Sequence, residues 1–545
     1  MTLYQKYDSL ETTNETCFKK QGIVLVTETV PKKMTDMKHV SRNRKQSTKG
    51  GREMKRSIKA LGVCLLAGAA AVTVTGCGKV NKDYDVYFFN QKSEIADSLN
   101  DLADEYEAQT GKKVKVFTVG TTEGSETMRS ELKSKEYPTL FSSNAISFEE
   151  WKSAGYAAGV EEISNPELKT LYESVPDALK LQFESEGNYG IPYNIEGYGL
   201  IADRQMLEDI LGVTDLNAFT ADYKEADYEE FQQMIVALND YINDGKSESF
   251  TLNGNSYETQ SDKTDLTENL NGVFSIAGAE KWTYGNHFGN YPISTVYQNI
   301  YDVRESDPDK ADFMKSSIVK SLQELDFLSN YAAGPDGATK RGSQFINSTV
   351  TGYDQAVQTF AEGKAVFIKN GNWIYSNVAD IAPEVADRLI MLPMKLNFSD
   401  DDIHVDGLTV DQMNRSVPEF VSQYYIINKK ATEQEKKDAE DFLLWLNTSE
   451  TGQDYIVNKF AFVPFNADED TTLENPLSND LITYKRDNDL LANPFDAAPS
   501  SWGLESYGKY IMEDLFTDPD PWSEDELNDI ADECISYWKS GMDEW

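Results

Sequence analysis

Apolar positions along the first hundred ordered-looking residues alternate between two periods. Val86-Tyr87-Phe88-Phe89 is an unbroken apolar run of strand length, and Ile95, Leu99, Leu102 and Tyr106 then recur at helical spacing. Gly111 closes that predicted helix, Val114 to Val119 reads as a second strand, and Glu126 to Lys135 as a second helix. Tyr137-Pro138-Thr139-Leu140-Phe141 follows as a third strand. Strand–helix–strand alternation predicts an α/β fold with a parallel sheet, whose ligand groups gather at the carboxyl ends of the strands.

Later segments are richer in helix. Phe442 to Leu446 sits in a helix that begins in the charged stretch Glu433 to Asp441, and Ser523-Glu524-Asp525-Glu526 has the spacing of a capping box opening the last one. The acidic, Asn- and Ser-containing patch Gly245 to Thr267 reads as an exposed loop or hairpin. No internal repeat or low-complexity tract interrupts the pattern.

One apolar stretch does not fit a folded domain. Met54 to Lys59 is basic, Ala60 to Thr75 carries no charge, and Val74-Thr75-Gly76 precedes Cys77. A basic start, a short apolar run and small residues before a cut describe a secretory signal peptide over 54–76, shorter than the roughly 20 residues a bilayer span needs. The cysteine after Thr-Gly resembles a bacterial lipobox, which makes Cys77 the expected lipidation site and new N-terminus. Residues 1–53 precede the export signal, so Met54 is the expected start and 1–53 a mis-assigned leader; the Lys49-Gly50-Gly51 codons can encode a ribosome-binding sequence.

Charge sharpens the division. The chain has a net charge of −41, and the 14 Lys and Arg against 6 Asp and Glu through Gly76 leave 37 basic and 86 acidic residues beyond it, a net of −49. Such a surface repels nucleic acid and anionic headgroups, so no nucleic-acid partner is expected. Beyond Cys77 only Cys534 remains, in an apolar-periodic helix, so no intramolecular disulfide is expected. The 469 residues from Cys77 onward exceed what a single core supports, and two lobes are expected.

Several local patterns resemble family 1 extracellular solute-binding proteins, the family of the maltose-binding protein. They are Val86 to Asn90 with the following helix and Gly111-Lys-Lys-Val-Lys-Val; Tyr189-Gly-Ile-Pro-Tyr193 through Gly199-Leu-Ile201; Phe360-Ala-Glu-Gly-Lys-Ala-Val-Phe367 with Gly371-Asn-Trp373; and Ala439 to Thr448 with Phe462-Val-Pro464. Phe367 stands where the family usually has Met. The resemblance implies a periplasmic-binding-protein-like fold: two α/β lobes, a multi-stranded hinge and a ligand cleft. It implies crossings near Pro192–Glu196, Phe398–Val410 and Thr472–Asp487. The N-lobe would then be 84–194 with 405–472, the C-lobe 195–404 with 473–545, and 77–83 a tether.

It also implies where a sugar would bind. Sugars present hydroxyl edges and weakly apolar faces, which call for aromatic platforms beside carboxylates, amides and a cation. Asn90 and Lys92 follow the first strand, Glu123 the second, and Asn144 the third, where an Asp is commoner. Tyr193 and Glu196 stand at the first crossing. Trp282 and Tyr284 lie in the polar-aromatic stretch Lys281 to Phe288, expected as a cleft loop. Trp373 and Trp502 complete the candidate platforms, and three of these favour an oligosaccharide over a monosaccharide.

Catalytic signatures are missing: only His287 and His404 follow Cys77, with no H-E-x-x-H, phosphate-loop or G-x-S-x-G pattern. No cofactor and no metal site is expected. The resemblance thus implies a non-enzymatic lipoprotein on the outer face of a bacterial cell membrane. It would capture a carbohydrate and deliver it to ABC permease subunits. The rival readings are a surface glycoside hydrolase or lyase, which needs only two carboxylates, and a non-transport glycan adhesin.

Overall fold

The computed structural model describes residues 82–182, 188–334, 341–468 and 470–542; the expected leader, signal peptide and lipidated Cys77 lie outside them. The apolar run at the start becomes β1 (Val86–Asn90), all five residues buried, as a strand covered on both faces requires. Helix α1 (Ala96–Thr110) lays Leu99, Leu102 and Tyr106 on it and ends at Gly111. Strand β2 (Val114–Thr118), helix α2 (Thr121–Glu131), β3 (Leu140–Ser143) and α3 (Ala145–Ser153) continue the alternation. Both β2 and β3 pair parallel to β1, as the pattern predicts. The third strand starts later than Tyr137, because Pro138 cannot donate to the ladder.

The remainder of the sheet is mixed. It adds β4 (Ile191–Asp203), β7 (Gly272–Ser275), β8 (Ala365–Gly371), β9 (Leu389–Leu392), β10 (Val417–Ile427) and β11 (Leu490–Leu491). Pairing runs β2-β1-β3-β10-β4-β8-β7, with β9 on β4 and β11 on β10. Two long strands knit its halves together. The first half of β4 pairs antiparallel with β10, and its second half with β8 and β9. Strand β10 in turn reaches β3 through Tyr424 to Ile427. A third segment joins them where Ile195 N donates to Val463 O at 2.9 Å.

These pairings differ from two of the expected crossings. Phe398–Val410 forms no strand: it holds the 3-10 turn Asp400–Asp402, and Phe398, Ile403 and Leu408 pack on the second core described below. The strand that reaches both halves is β10, which follows. In Thr472–Asp487 the chain folds into the helix Pro476–Asp487, capped by Asn475, and reaches the sheet only at β11.

Alternation along β4 separates the cores. Ile191, Tyr193, Ile195 and Ile201 belong to the core built on Phe88, Phe89 and Leu140, while Tyr198, Leu200 and Ala202 face the core built on Phe274, Phe367 and Trp502. The acidic patch is a hairpin, β5 (Ser249–Leu252) and β6 (Asn255–Glu258). Its Asn253-Gly254 turn has φ of 51° and 74°, the two positive values of the tight hairpin turn this dipeptide favours. The last helix, Glu524–Met542, opens with Ser523 Oγ accepting from Glu526 N at 3.2 Å and buries Cys534, whose thiol burial pushes up to about 12.

Candidate functional site

The carboxyl ends of β1 and β3 face the end of β8 across a cavity of about 470 Å³. Five of the ten sequence candidates line it: Lys92, Asn144, Glu196, Trp282 and Trp373. Its sequence-distant neighbours bring in His287, Phe420, Asn493, Phe495 and Asp496 as well.

The polar side is an organised network. Lys92 Nζ lies 2.8 Å from Glu196 Oε1, which also accepts from Asn194 Nδ2 at 2.9 Å. Both charged side chains are largely buried, 12% and 9% exposed, and the ammonium stands 5.5 Å from the Phe462 ring centroid. Behind Lys92, Asn90 is fully buried: its Nδ2 donates to Lys92 O at 2.7 Å and its Oδ1 accepts from Tyr193 OH at 3.0 Å. Asn90 and Tyr193 therefore brace the turn that presents Lys92 and do not themselves line the cavity. Asn144 caps α3, its Oδ1 accepting from Ser147 N at 2.8 Å. Glu123 lies in α2, and its side chain is outside the described residues.

The aromatic side gathers around His287. Its ring stacks on Tyr198 at 4.6 Å and 18°, with Trp373 at 5.1 Å, Trp282 at 5.2 Å and Phe420 at 5.8 Å. Trp373 meets Phe420 edge-on at 6.0 Å. The Gly-Asn before Trp373 explains its placement. A Cβ on Gly371 would stand 2.0 Å from the Trp373 ring, so only glycine lets the indole fold back over the strand end. Asn372 then ties this corner to β4, its Oδ1 accepting from Gly197 N and its Nδ2 donating to Ser478 Oγ, both at 3.1 Å.

Two expected platforms lie elsewhere. The stretch from Lys281 opens as a short helix, Lys281–Gly285, which turns Tyr284 inward; it is 3% exposed, its hydroxyl donates to Gly278 O and Phe516 meets it edge-on. Trp502 is fully buried, stacked on Tyr507 at 5.4 Å and edge-on to Trp538, with Nε1 donating to Cys534 O at 2.9 Å. The last helix covers it. Phe495, seven residues earlier, lines the cavity instead, from the 3-10 turn Pro494–Ala497.

Burial sets the protonation of the wall. Asp496 is pushed up to about 7 by burial, against the pull of Asn493 and Arg304. His287 is held well below its usual value by burial and by Lys369, and so is neutral. Lys369 donates to Thr283 O at 2.9 Å, lies 4.6 Å from the Tyr198 centroid, and is itself lowered by burial. Among the described residues no group of His, Cys, Asp and Glu is placed to hold a metal ion. The arrangement offers aromatic faces, a paired carboxylate and ammonium, and amides, all converging on one space.

Two α/β halves knitted by crossing strands, with a cleft at the strand ends, define a periplasmic-binding-protein-like molecule. The chain belongs to the bacterial extracellular solute-binding proteins, whose family profile matches residues 101–483. Solved structures agree on the fold. RafE in complex with raffinose is 16% identical and covers 84% of this chain and 99% of its own, with a TM-score of 0.56. The cyclo/maltodextrin-binding protein complexed with maltotetraose is 14% identical, covering 84% and 98%, at 0.52. A family 1 extracellular solute-binding protein from Bifidobacterium longum subsp. infantis is 13% identical, covering 84% and 98%, at 0.53. Among curated proteins, none matches the sequence. No helix among the described residues is long and apolar enough to cross a membrane.

Proposed function

We propose that this protein is the substrate-capturing lipoprotein of a bacterial ABC importer, and that it binds a carbohydrate, an oligosaccharide, between its lobes. Closure on the sugar presents it to the permease subunits unchanged, without enzymatic conversion. The observation that carries this reading is the cavity in which Trp282, Trp373 and Phe420 stand beside Lys92, Glu196 and Asn144. Stacked rings take up the C–H face of a sugar, and charge-assisted hydrogen bonds hold its hydroxyls. RafE and the cyclo/maltodextrin-binding protein, similar in fold, were solved with raffinose and maltotetraose.

An aromatic box with a carboxylate also suits a quaternary ammonium ion. Here the Lys92 ammonium, 2.8 Å from Glu196, offsets the negative charge a cation would need, which favours the neutral sugar. The same pairing speaks against Glu196 as one of two hydrolytic carboxylates. We place the lobe boundaries in β4 near Glu196, in β10, and between Val463 and Leu490. Residues 84–194 fall to the first lobe, and 405–416 move to the second because Leu408 and Met413 pack on its core. The lipid anchor on Cys77 would hold the protein at the outer face of the membrane.

Titrating tryptophan fluorescence with malto-, xylo-, chito- and raffinose-type oligosaccharides tests the ligand class. A saturable change with one class, and recovery of that sugar intact, supports the reading; no response, or cleaved products, overturns it. Replacing Cys77 with Ser should move the protein from the membrane fraction to the medium, and an unchanged distribution would remove the anchor.

A further inference from the structure

The cavity beside Trp373 shares part of its wall with a neighbour. Ile146 and Asp496 also line a second chamber of about 540 Å³, bounded by α2 and α3 on one side and by the helix Ile300–Glu305 and the turn at Asp496 on the other. Each chamber alone has the size of a small-molecule site, roughly 300–1,000 Å³. Their linings differ in kind. Among the described residues no aromatic ring lines the second chamber; Arg304, Glu149, Lys152 and Asp496 do, with the bidentate Arg129–Glu150 pair at 2.5 and 2.7 Å on its α2–α3 side.

Three of these groups sense one another. Arg304 is lowered to about 9 by burial while Glu149 and Asp496 hold it up, and Asp496 is in turn held down by Arg304. The guanidinium also reaches Gln182 O at 3.5 Å, so it stands where the two lobes meet. A guanidinium between Glu149 and Asp496 matches vicinal hydroxyls: it donates to their oxygens, while Glu149 accepts a hydroxyl proton and the Asp496 carboxyl, raised by burial, accepts through its carbonyl oxygen or donates.

We propose that the ligand site runs through both chambers, so that a linear oligosaccharide stacks one ring in the aromatic chamber. It then passes between Ile146 and Asp496 and sets its next ring against Arg304, Glu149 and Asp496. The inference rests on the carbohydrate reading above. It makes the site directional, with a stacking end and a hydrogen-bonding end, and makes chain length a determinant of affinity.

The test is calorimetric titration of the purified protein with one glycan class from monosaccharide to tetrasaccharide. The readout is the ratio of affinities between successive lengths. The wild type should show one step of about tenfold or more, the worth of one or two charge-assisted hydrogen bonds. Arg304→Gln should shrink that step toward one. Ile146→Trp, a substitution at a side chain 42% exposed, should do the same by plugging the passage. Equal affinity for all lengths in the wild type, or an undiminished step in both variants, overturns the proposal and leaves the carbohydrate reading intact. No binding of any sugar overturns both.

Discussion

Lys92 Nζ and Glu196 Oε1 stand 2.8 Å apart, joining the turn after the first strand to the middle of the strand that crosses between the lobes. The pair is positioned from behind on both sides: Asn90 and Tyr193 fix the Lys92 backbone, and Asn194 shares the Glu196 oxygen. An ion pair so placed supports both stability and binding, and the two roles separate by mutation. Lys92→Met leaves Glu196 largely buried with only its amide partner, which should lower unfolding free energy by about 1–3 kcal/mol. The double variant Lys92→Met, Glu196→Gln should recover most of that loss, since no buried charge is then left unpaired. Its sugar affinity should stay at least about tenfold down. Urea melts and titrations on both variants check this, and wild-type affinity in the double variant would make the pair purely structural.

Trp502 serves as the control for the aromatic candidates. It is fully buried against Tyr507 and Trp538, so Trp502→Ala should cost about 3–5 kcal/mol of stability. Among molecules that remain folded, ligand affinity should be unchanged. A loss of binding at full stability would return Trp502 to the cleft.

Stability should fall as pH rises from about 5 to about 7. Burial pushes Asp496, Glu419 and Asp480 up to about 7, against unfolded values near 4. Through that window the folded state holds protons the unfolded chain has lost, so each contribution is complete only below about 4, declines from there, and is gone above 7. His287 opposes them: folding holds it neutral, so its contribution weakens below its usual 6.5. Burial also raises Glu324 and Asp326 on the same side and lowers Lys369 on the opposing one, and the balance is a net decline of about 1–3 kcal/mol between pH 5 and 7, discounted for partial exposure. Denaturant melts across the range measure it, and Asp496→Asn with Glu419→Gln should flatten the slope. A rise in stability toward pH 7 would contradict these environments.

Periodicity made the first three strands and the first helix legible: β1 is a continuous apolar run buried on both faces, while β2 alternates Val-Lys-Val, and the second helix starts at Thr121, five residues before the expected Glu126. Trp373 came from the family resemblance at Gly371-Asn-Trp373, and its steric basis, Gly371 leaving room for the indole, is visible only in the fold. The second crossing was hidden: β10 opens Val417-Pro418-Glu419-Phe420, with a proline and a charge where a strand signal needs alternation. Trp502 misled because its Pro, Ser and Gly neighbours compose like a loop, while the helix that covers it lies some 30 residues on. Asp496 was one of 92 acidic residues, and only the fold shows that it borders both chambers. His287 lay inside a stretch already marked as aromatic and polar, yet besides Trp282 its ring contacts come from β4, β10 and the corner after β8.

The most direct measurement is isothermal titration of the wild type and Trp373→Ala with the oligosaccharide class that binds. Micromolar or tighter binding in the wild type, weakened at least about tenfold in a variant of unchanged melting temperature, is the expected result. Equal affinity in the two proteins, or no heat with any sugar from folded wild type, would contradict the account.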